Sequence, residues 1–135
     1  DGANIEIRDA VGAENFFLFG AQAHEVSAIR QNYQPNEIIA KSESLSAVMH
    51  LLESGHFNLF EPNIFDEIIQ TIRDPHDNWL TAFDFDSYVQ AQKDVDAAYK
   101  DQTLWTQKSI LNTAASGIFS SDNTIRQYSE EIWKL

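Results

Sequence analysis

Phe16-Phe17-Leu18-Phe19, closed by Gly20, is the stretch on which the reading of the fold turns. Four consecutive bulky apolar residues, three of them aromatic, suit a strand buried on both faces, as in a parallel sheet. A buried helical turn is the competing reading, and Gly20 favours a stop instead. Upstream, Asp1-Gly2-Ala3-Asn4 reads as a turn, and Ile5-Glu6-Ile7 as a strand or a first helical turn.

Beyond Gly20 the apolar spacing becomes helical. Val26, Ile29 and Tyr33 recur at three and four residues, and Pro35 breaks the chain soon afterwards. Leu45, Val48, Met49 and Leu52 form the next stripe, stopped near Gly55. Ile64, Phe65, Ile68, Ile69 and Ile72 form another, with Asn63 placed as its N-cap and Pro75 just past its end. Tyr88, Ala91, Val95 and Tyr99 follow, with Asp86 placed to cap. Trp105, Leu111, Ala114 and Ala115 lead to a stop at Gly117. Ile125, Tyr128 and Ile132 line a last face behind Ser121 or Asp122.

The expectation is therefore an α/β chain, predominantly helical, with one or two short strands and about six helices. One short strand cannot cover so many apolar helix faces, and an independent sheet domain needs several strands. This imbalance predicts that residues 1–135 complete a larger α/β structure; a self-sufficient helical domain is the alternative. No internal repeat or low-complexity linker divides the chain.

The 135 residues suffice for one domain, and 43% hydrophobic with 22% charged residues are globular values. Nine basic and twenty-one acidic residues give a formal charge of −12. That field repels polyanions, so neither nucleic acid nor an anionic membrane is expected as a partner. Cysteine is absent, which excludes disulfides, thiolate metal sites and thiol nucleophiles. No apolar run has the length of a membrane span, and no signal peptide opens the chain. The start at Asp1 without methionine suits a processed chain, a trimmed one or a piece of a longer one.

A search for chemistry is largely negative. The four histidines, His24, His50, His56 and His76, show no metal-ligand spacing, and His50 with Glu53 at i, i+3 offers only two ligands. Asp84-Phe85-Asp86-Ser87-Tyr88 has the outline of a calcium loop, but Val89 stands where glycine is needed and Val95 where the bidentate glutamate belongs. Asp84 and Asp86 read instead as capping and first-turn acids. The glycines at 2, 12, 20, 55 and 117 form no nucleotide motif, and no serine has an attendant histidine and acid. Trp105 and Trp133 fall among helical apolar positions and read as core. Trp79, in the polar stretch from Asp74 to Asn78, is left open between packing and stacking on a sugar ring. No catalytic, cofactor-binding or metal-ligating residue is assigned.

Five stretches carry the argument further. DGANIEI (1–7) with VGAENFFLFG (11–20), NYQPNEII (32–39), DFDSYVQAQ (84–92), LWTQKSILNTAASG (104–117) and SGIFSSDNTIRQYSEEIW (116–133) occur in this order. Together they resemble the C-terminal segment of the α-glucan (glycogen, starch, maltodextrin) phosphorylases, over essentially the whole chain. The last stretch resembles the family's SGKFSSDRTI signature. It departs from it at Ile118, where lysine is common, and at Asn123, where arginine is common, which bears on anion or inter-domain contacts.

The resemblance implies two Rossmann-like domains facing a cleft, the GT-B arrangement. Residues 1–135 would supply the late part of the second domain, with a terminal helix around Ile125 to Trp133 packing back toward the first. It implies phosphorolysis of terminal α-1,4-linked glucose to glucose 1-phosphate with retained configuration. Pyridoxal phosphate would be held on a lysine, and its phosphate would assist proton transfer. The cofactor lysine, the glycine-rich substrate loop and the basic phosphate-binding residues of the family all precede the point matching Asp1. Lys41, Lys93, Lys100, Lys108 and Lys134 do not match the cofactor motif, and Lys93, Lys100 and Lys108 read as solvated helix surface. The chain alone is thus expected to be inactive, with an exposed apolar surface. Its expected partners are the upstream part of the enzyme, α-glucan and phosphate, in a cytoplasmic homodimer. The alternative is a stand-alone glucan-binding or protein-interaction module.

Overall fold

The structure, a computed structural model, describes residues 3–59 and 61–135. Among the described residues it is helical and contains no β-strand. The helices are α1 (Ala3–Val11), α2 (Ala23–Gln31), α3 (Pro35–Lys41), α4 (Glu43–Glu53), α5 (Asp66–Arg73), α6 (Thr81–Lys100), α7 (Gln102–Ala115) and α8 (Ser121–Gln127). Short 3-10 turns cover Ala13–Asn15 and Ser116–Phe119, and α8 runs on as π-helical turns over Tyr128–Trp133.

The strand expected at Phe16–Phe19 is the main correction. Phe16 does adopt extended backbone (φ −135°, ψ 130°), but no neighbouring strand pairs with it. A lone strand leaves its ladder donors and acceptors unpaired, so the segment stays irregular. Ile5-Glu6-Ile7 resolves as helix, where i to i−4 bonds satisfy the backbone locally. Of the turn expected over residues 1–4, Asp1 and Gly2 lie outside the described residues, and Asn4 is already helical.

Two compact units divide the chain, residues 19–92 and residues 3–18 with 93–135. The first contains α2 to α5 and α6 as far as Gln92. Its core joins Tyr33, Ile39, Leu45, Met49, Leu80 and Ala82, with Val26, Ile29, Leu52, Ile69, Ile72 and Phe85 packed around them. The break expected near Pro35 is present, since α2 ends at Gln31, and Pro35 then opens α3 at a position where its missing N–H costs nothing. Ser42 caps α4 by accepting the Leu45 N–H and donates its hydroxyl to Asp86 at 2.6 Å. That contact replaces the capping role expected of Asp86, which lies in the interior of α6. Asn63 likewise is not an N-cap: it occupies a left-handed turn (φ 69°), and α5 begins at Asp66. Arg73 at the end of α5 clips the layers together, pairing with Glu53 of α4 at 2.5 Å and donating to Asn36 of α3 at 2.6 Å.

The second unit packs α1 against α7, with Val11 and Ala98 among its few buried apolar residues. Gly12, at φ +88°, turns the chain after α1, and buried Asn15 donates to the Val11 carbonyl at 2.7 Å. Lys108 of α7 reaches back to the Glu14 carbonyl and sits 5.8 Å over the Phe17 ring. The solvated role expected of Lys108 is therefore wrong: its ammonium ties α7 to the turn after α1. Ser120 rather than Ser121 or Asp122 caps α8, accepting the Asn123 N–H. Trp133, expected in a core, is 53% exposed and lies edge-to-face with Tyr128, centroids 6.0 Å apart.

Candidate functional site

The richest local chemistry lies in the unit of residues 19–92, where the turn at Gly20 meets the start of α6. Gly20 holds φ +85°, in the left-handed region that side chains disfavour. Its N–H donates to the Ser87 hydroxyl at 3.0 Å, and the Ala21 N–H donates to Asp84 Oδ1 at 2.8 Å. A Cβ at Gly20 would come within 2.6 Å of Asp84 Oδ2, so only glycine lets the backbone approach this carboxylate.

Ahead of α6, buried Asp77 organises the loop. Its Oδ1 accepts the Trp79 N–H at 2.9 Å and its Oδ2 the Thr81 N–H at 2.7 Å. Arg30 donates to the Asn78 carbonyl at 2.5 Å. Leu80 then turns into the core, 3% exposed, at the cost of a left-handed φ of 55°. The same geometry pushes Trp79 outward, where it is 80% exposed. Phe19, Trp79, Thr81, Asp84, Phe85 and Tyr88 line an open cavity of about 250 Å³. Phe19 and Tyr88 form one wall edge-to-face, ring centroids 5.1 Å apart.

Titratable groups elsewhere look structural. Burial, reinforced by the nearby Asp77 and Asp84 charges, pushes the Tyr33 phenol above its ordinary 10.0, although its oxygen accepts the Ala82 N–H at 3.2 Å. The backbone N–H and ring of His76 hold the Asp74 carboxyl below its usual range. His24, His50, His56 and His76 are all exposed, and among the described residues no group of three or more His, Asp or Glu is gathered for a metal. Glu53 faces Arg73 rather than His50. Asp84 and Asp86 lie on α6, engaged with Ala21 and Ser42, so no calcium loop forms.

The sequence reading found Trp79 but not its setting. Asp77, Arg30 and Gly20 carried no signal that distinguished them from ordinary turn and surface residues. Trp105 is partly buried against the edge of Tyr99, centroids 5.2 Å apart. At the two departures from the signature, Ile118 is 56% exposed, and the Asn123 amide donates to the Ile118 carbonyl at 2.8 Å, a local bond in place of a charge. No helix among the described residues is long and apolar enough to cross a membrane.

Comparison with known proteins agrees over the full length. Residues 1–135 match the family model described as carbohydrate phosphorylase. The chain is 46% identical over 136 residues to a glycogen phosphorylase of Synechocystis, covering 100% of this chain and 16% of that protein. It is 42% identical over 140 residues to the chloroplastic/amyloplastic α-1,4 glucan phosphorylase L isozyme of Ipomoea batatas, covering 100% of this chain and 14% of that one. An H isozyme of α-glucan phosphorylase from Triticum aestivum is 43% identical over 137 residues, covering 100% of this chain and 16% of its own length. The chain thus spans about a seventh of the length of such relatives and corresponds to a segment of them. On the whole-chain match and these identities, the chain belongs to the carbohydrate phosphorylase family.

Proposed function

We propose that this chain is the C-terminal part of an α-glucan phosphorylase, which releases terminal α-1,4-linked glucose as glucose 1-phosphate, and that the reacting groups lie in residues preceding it. The observation that carries the reading is identity of 42–46% along the entire chain to proteins named for glycogen or α-1,4 glucan. In the GT-B arrangement this segment would form the late part of the second Rossmann-like domain. Phe16–Phe19, irregular and unpaired here, would lie beside a sheet supplied by upstream strands.

Exposed apolar surface supports that placement. In the unit of residues 3–18 and 93–135, Ile110, Ile125 and Ile132 are each more than half exposed. Trp105, Ile110 and Ala114 line an open hollow of about 480 Å³. A monomer rarely leaves so many large side chains in water unless something covers them. The terminal helix around Ile125 to Trp133 would pack toward the first domain.

The lysines of this chain do not fit a pyridoxal phosphate Schiff base. Lys41 is 79% exposed and pairs with Glu37 at 3.6 Å, Lys108 is committed to Glu14, and Lys93, Lys100 and Lys134 are exposed. None of the five lines the hollows at Gly55, Trp105, Arg73 or Trp79. The cofactor therefore belongs to the upstream residues in this reading, and the chain contributes no step through it. A homodimeric, cytoplasmic parent completes the proposal, although relatives from Ipomoea batatas and Solanum tuberosum are named chloroplastic/amyloplastic.

Borohydride reduction of the longer protein, followed by peptide mapping, tests the assignment. The pyridoxyl label is expected on a lysine before residue 1. A label on any of the five lysines within 1–135 would overturn it.

A further inference from the structure

Trp79 is 80% exposed, yet its backbone N–H is held by Asp77 and the preceding Asn78 carbonyl by Arg30. Asp77 also binds the Thr81 N–H, and Leu80 is sunk in the core in a conformation that bulky residues avoid. Such a loop fixes the backbone that presents the indole, so a ligand stacking on it has only the side-chain torsions left to order.

The rest of the cavity narrows the ligand class. Phe19 and Tyr88 supply aromatic walls, and Phe85 closes toward the core. Thr81 and Asp84 supply the polar groups. Asp84 Oδ1 is used by Ala21, while Oδ2 has no hydrogen-bond partner among the described residues. No lysine or arginine lines the cavity, so a phosphate or carboxylate would meet only the Asp84 charge. A purely apolar ligand would desolvate that carboxylate without return. At about 250 Å³ the cavity is smaller than typical drug-sized sites, which admits a single ring and excludes a partner helix. A neutral ring with an apolar C–H face and hydroxyl donors at its edge satisfies every wall.

We propose that the Trp79 cavity is a non-catalytic glucan contact: it holds one glucosyl unit of an α-glucan by stacking on Trp79, with a sugar hydroxyl donating to Asp84 Oδ2. The proposal rests on the phosphorylase reading for its choice of sugar. It adds a site on residues 19–92 that tethers the polymer away from the reacting end.

The three indole N–H signals of the 15N-labelled chain provide the test, with Trp79 assigned by Trp79→Phe. On titration with maltoheptaose the Trp79 signal is expected to shift saturably while those of Trp105 and Trp133 stay in place. Trp79→Ala should weaken binding about tenfold, read from the Gly20 and Asp84 amide signals, and Trp79→Phe should lose only a few-fold. An unmoved Trp79 signal, an equal shift with inorganic phosphate alone, or undiminished binding by Trp79→Ala overturns the proposal. A second readout uses the chain joined to its upstream sequence. In a glycogen-containing native gel the Trp79→Ala form should migrate faster than the unsubstituted protein, with turnover at saturating maltoheptaose unchanged; equal migration overturns the proposal. Phosphorolysis by that longer protein together with an unmoved Trp79 removes the contact and leaves the family reaction standing. A saturable Trp79 shift without phosphorolysis does the reverse.

Discussion

Replacing Asp77 by alanine removes both acceptors that start α6 and shape the loop under Trp79. Asp77 is 4% exposed, and its two bonds, 2.9 and 2.7 Å, are charge-assisted. Loss of a capping side chain costs about 0.5–2 kcal/mol, and a partly buried donor left unpaired adds about 1 kcal/mol or more. Trp79 is exposed enough for water to replace its lost bond, whereas Thr81 is half-buried, so the total for Asp77→Ala is about 2 kcal/mol. Asp77→Asn keeps one carbonyl acceptor but turns an NH2 toward the other N–H, and should cost roughly half as much. Urea unfolding followed by tryptophan fluorescence measures both variants. With a slope of about 1.5 kcal/mol/M, the alanine midpoint should fall by roughly 1.3 M. A loss under about 0.5 kcal/mol for alanine, or equal losses for alanine and asparagine, would refute the account of how this loop is held.

Gly20→Ala should destabilise by about 2 kcal/mol in the same assay, because φ +85° is strained for alanine and its Cβ would press on Asp84. Met49, 1% exposed in the core, should cost about 2–5 kcal/mol as Met49→Ala, with the fluorescence-detected midpoint falling accordingly. The raised pKa of Tyr33 gives a stability that is complete below pH 10 and declines as pH rises toward the folded pKa, since the unfolded chain deprotonates first. Thermal unfolding across pH 8 to about 11.5 should show that decline, and Tyr33→Phe should remove the Tyr33 part of it. An unchanged alkaline slope in Tyr33→Phe would show that Tyr33 does not carry it.

Helical spacing was legible where a face met one core, as with Leu45, Met49 and Leu52 of α4, although Val48 of the same expected stripe faces solvent. Starts were harder, because caps depend on where the chain comes from. Asn63 has the chemistry of a cap but sits in a left-handed turn, and α6 begins five residues before Asp86, capped by an aspartate outside its own apolar pattern. Phe16–Phe19 has the composition of a buried strand, but strand formation needs partners, which no described residue provides. Of the candidate site, Trp79 was visible as an aromatic in a polar stretch. Its cavity was not, because Phe19 and Tyr88 meet across most of a unit and nothing local encodes that contact. The family resemblance was legible from ordered motifs that do not depend on predicting those elements correctly.

Glucose 1-phosphate formation from maltoheptaose and inorganic phosphate, with pyridoxal phosphate supplied, tests the central claim most directly. It should be measured on residues 1–135 alone and on the same residues expressed with their upstream coding sequence. The account predicts no turnover by the first and phosphorolysis by the second. Turnover by residues 1–135 alone, or a folded longer protein that binds pyridoxal phosphate yet yields no glucose 1-phosphate, would contradict it.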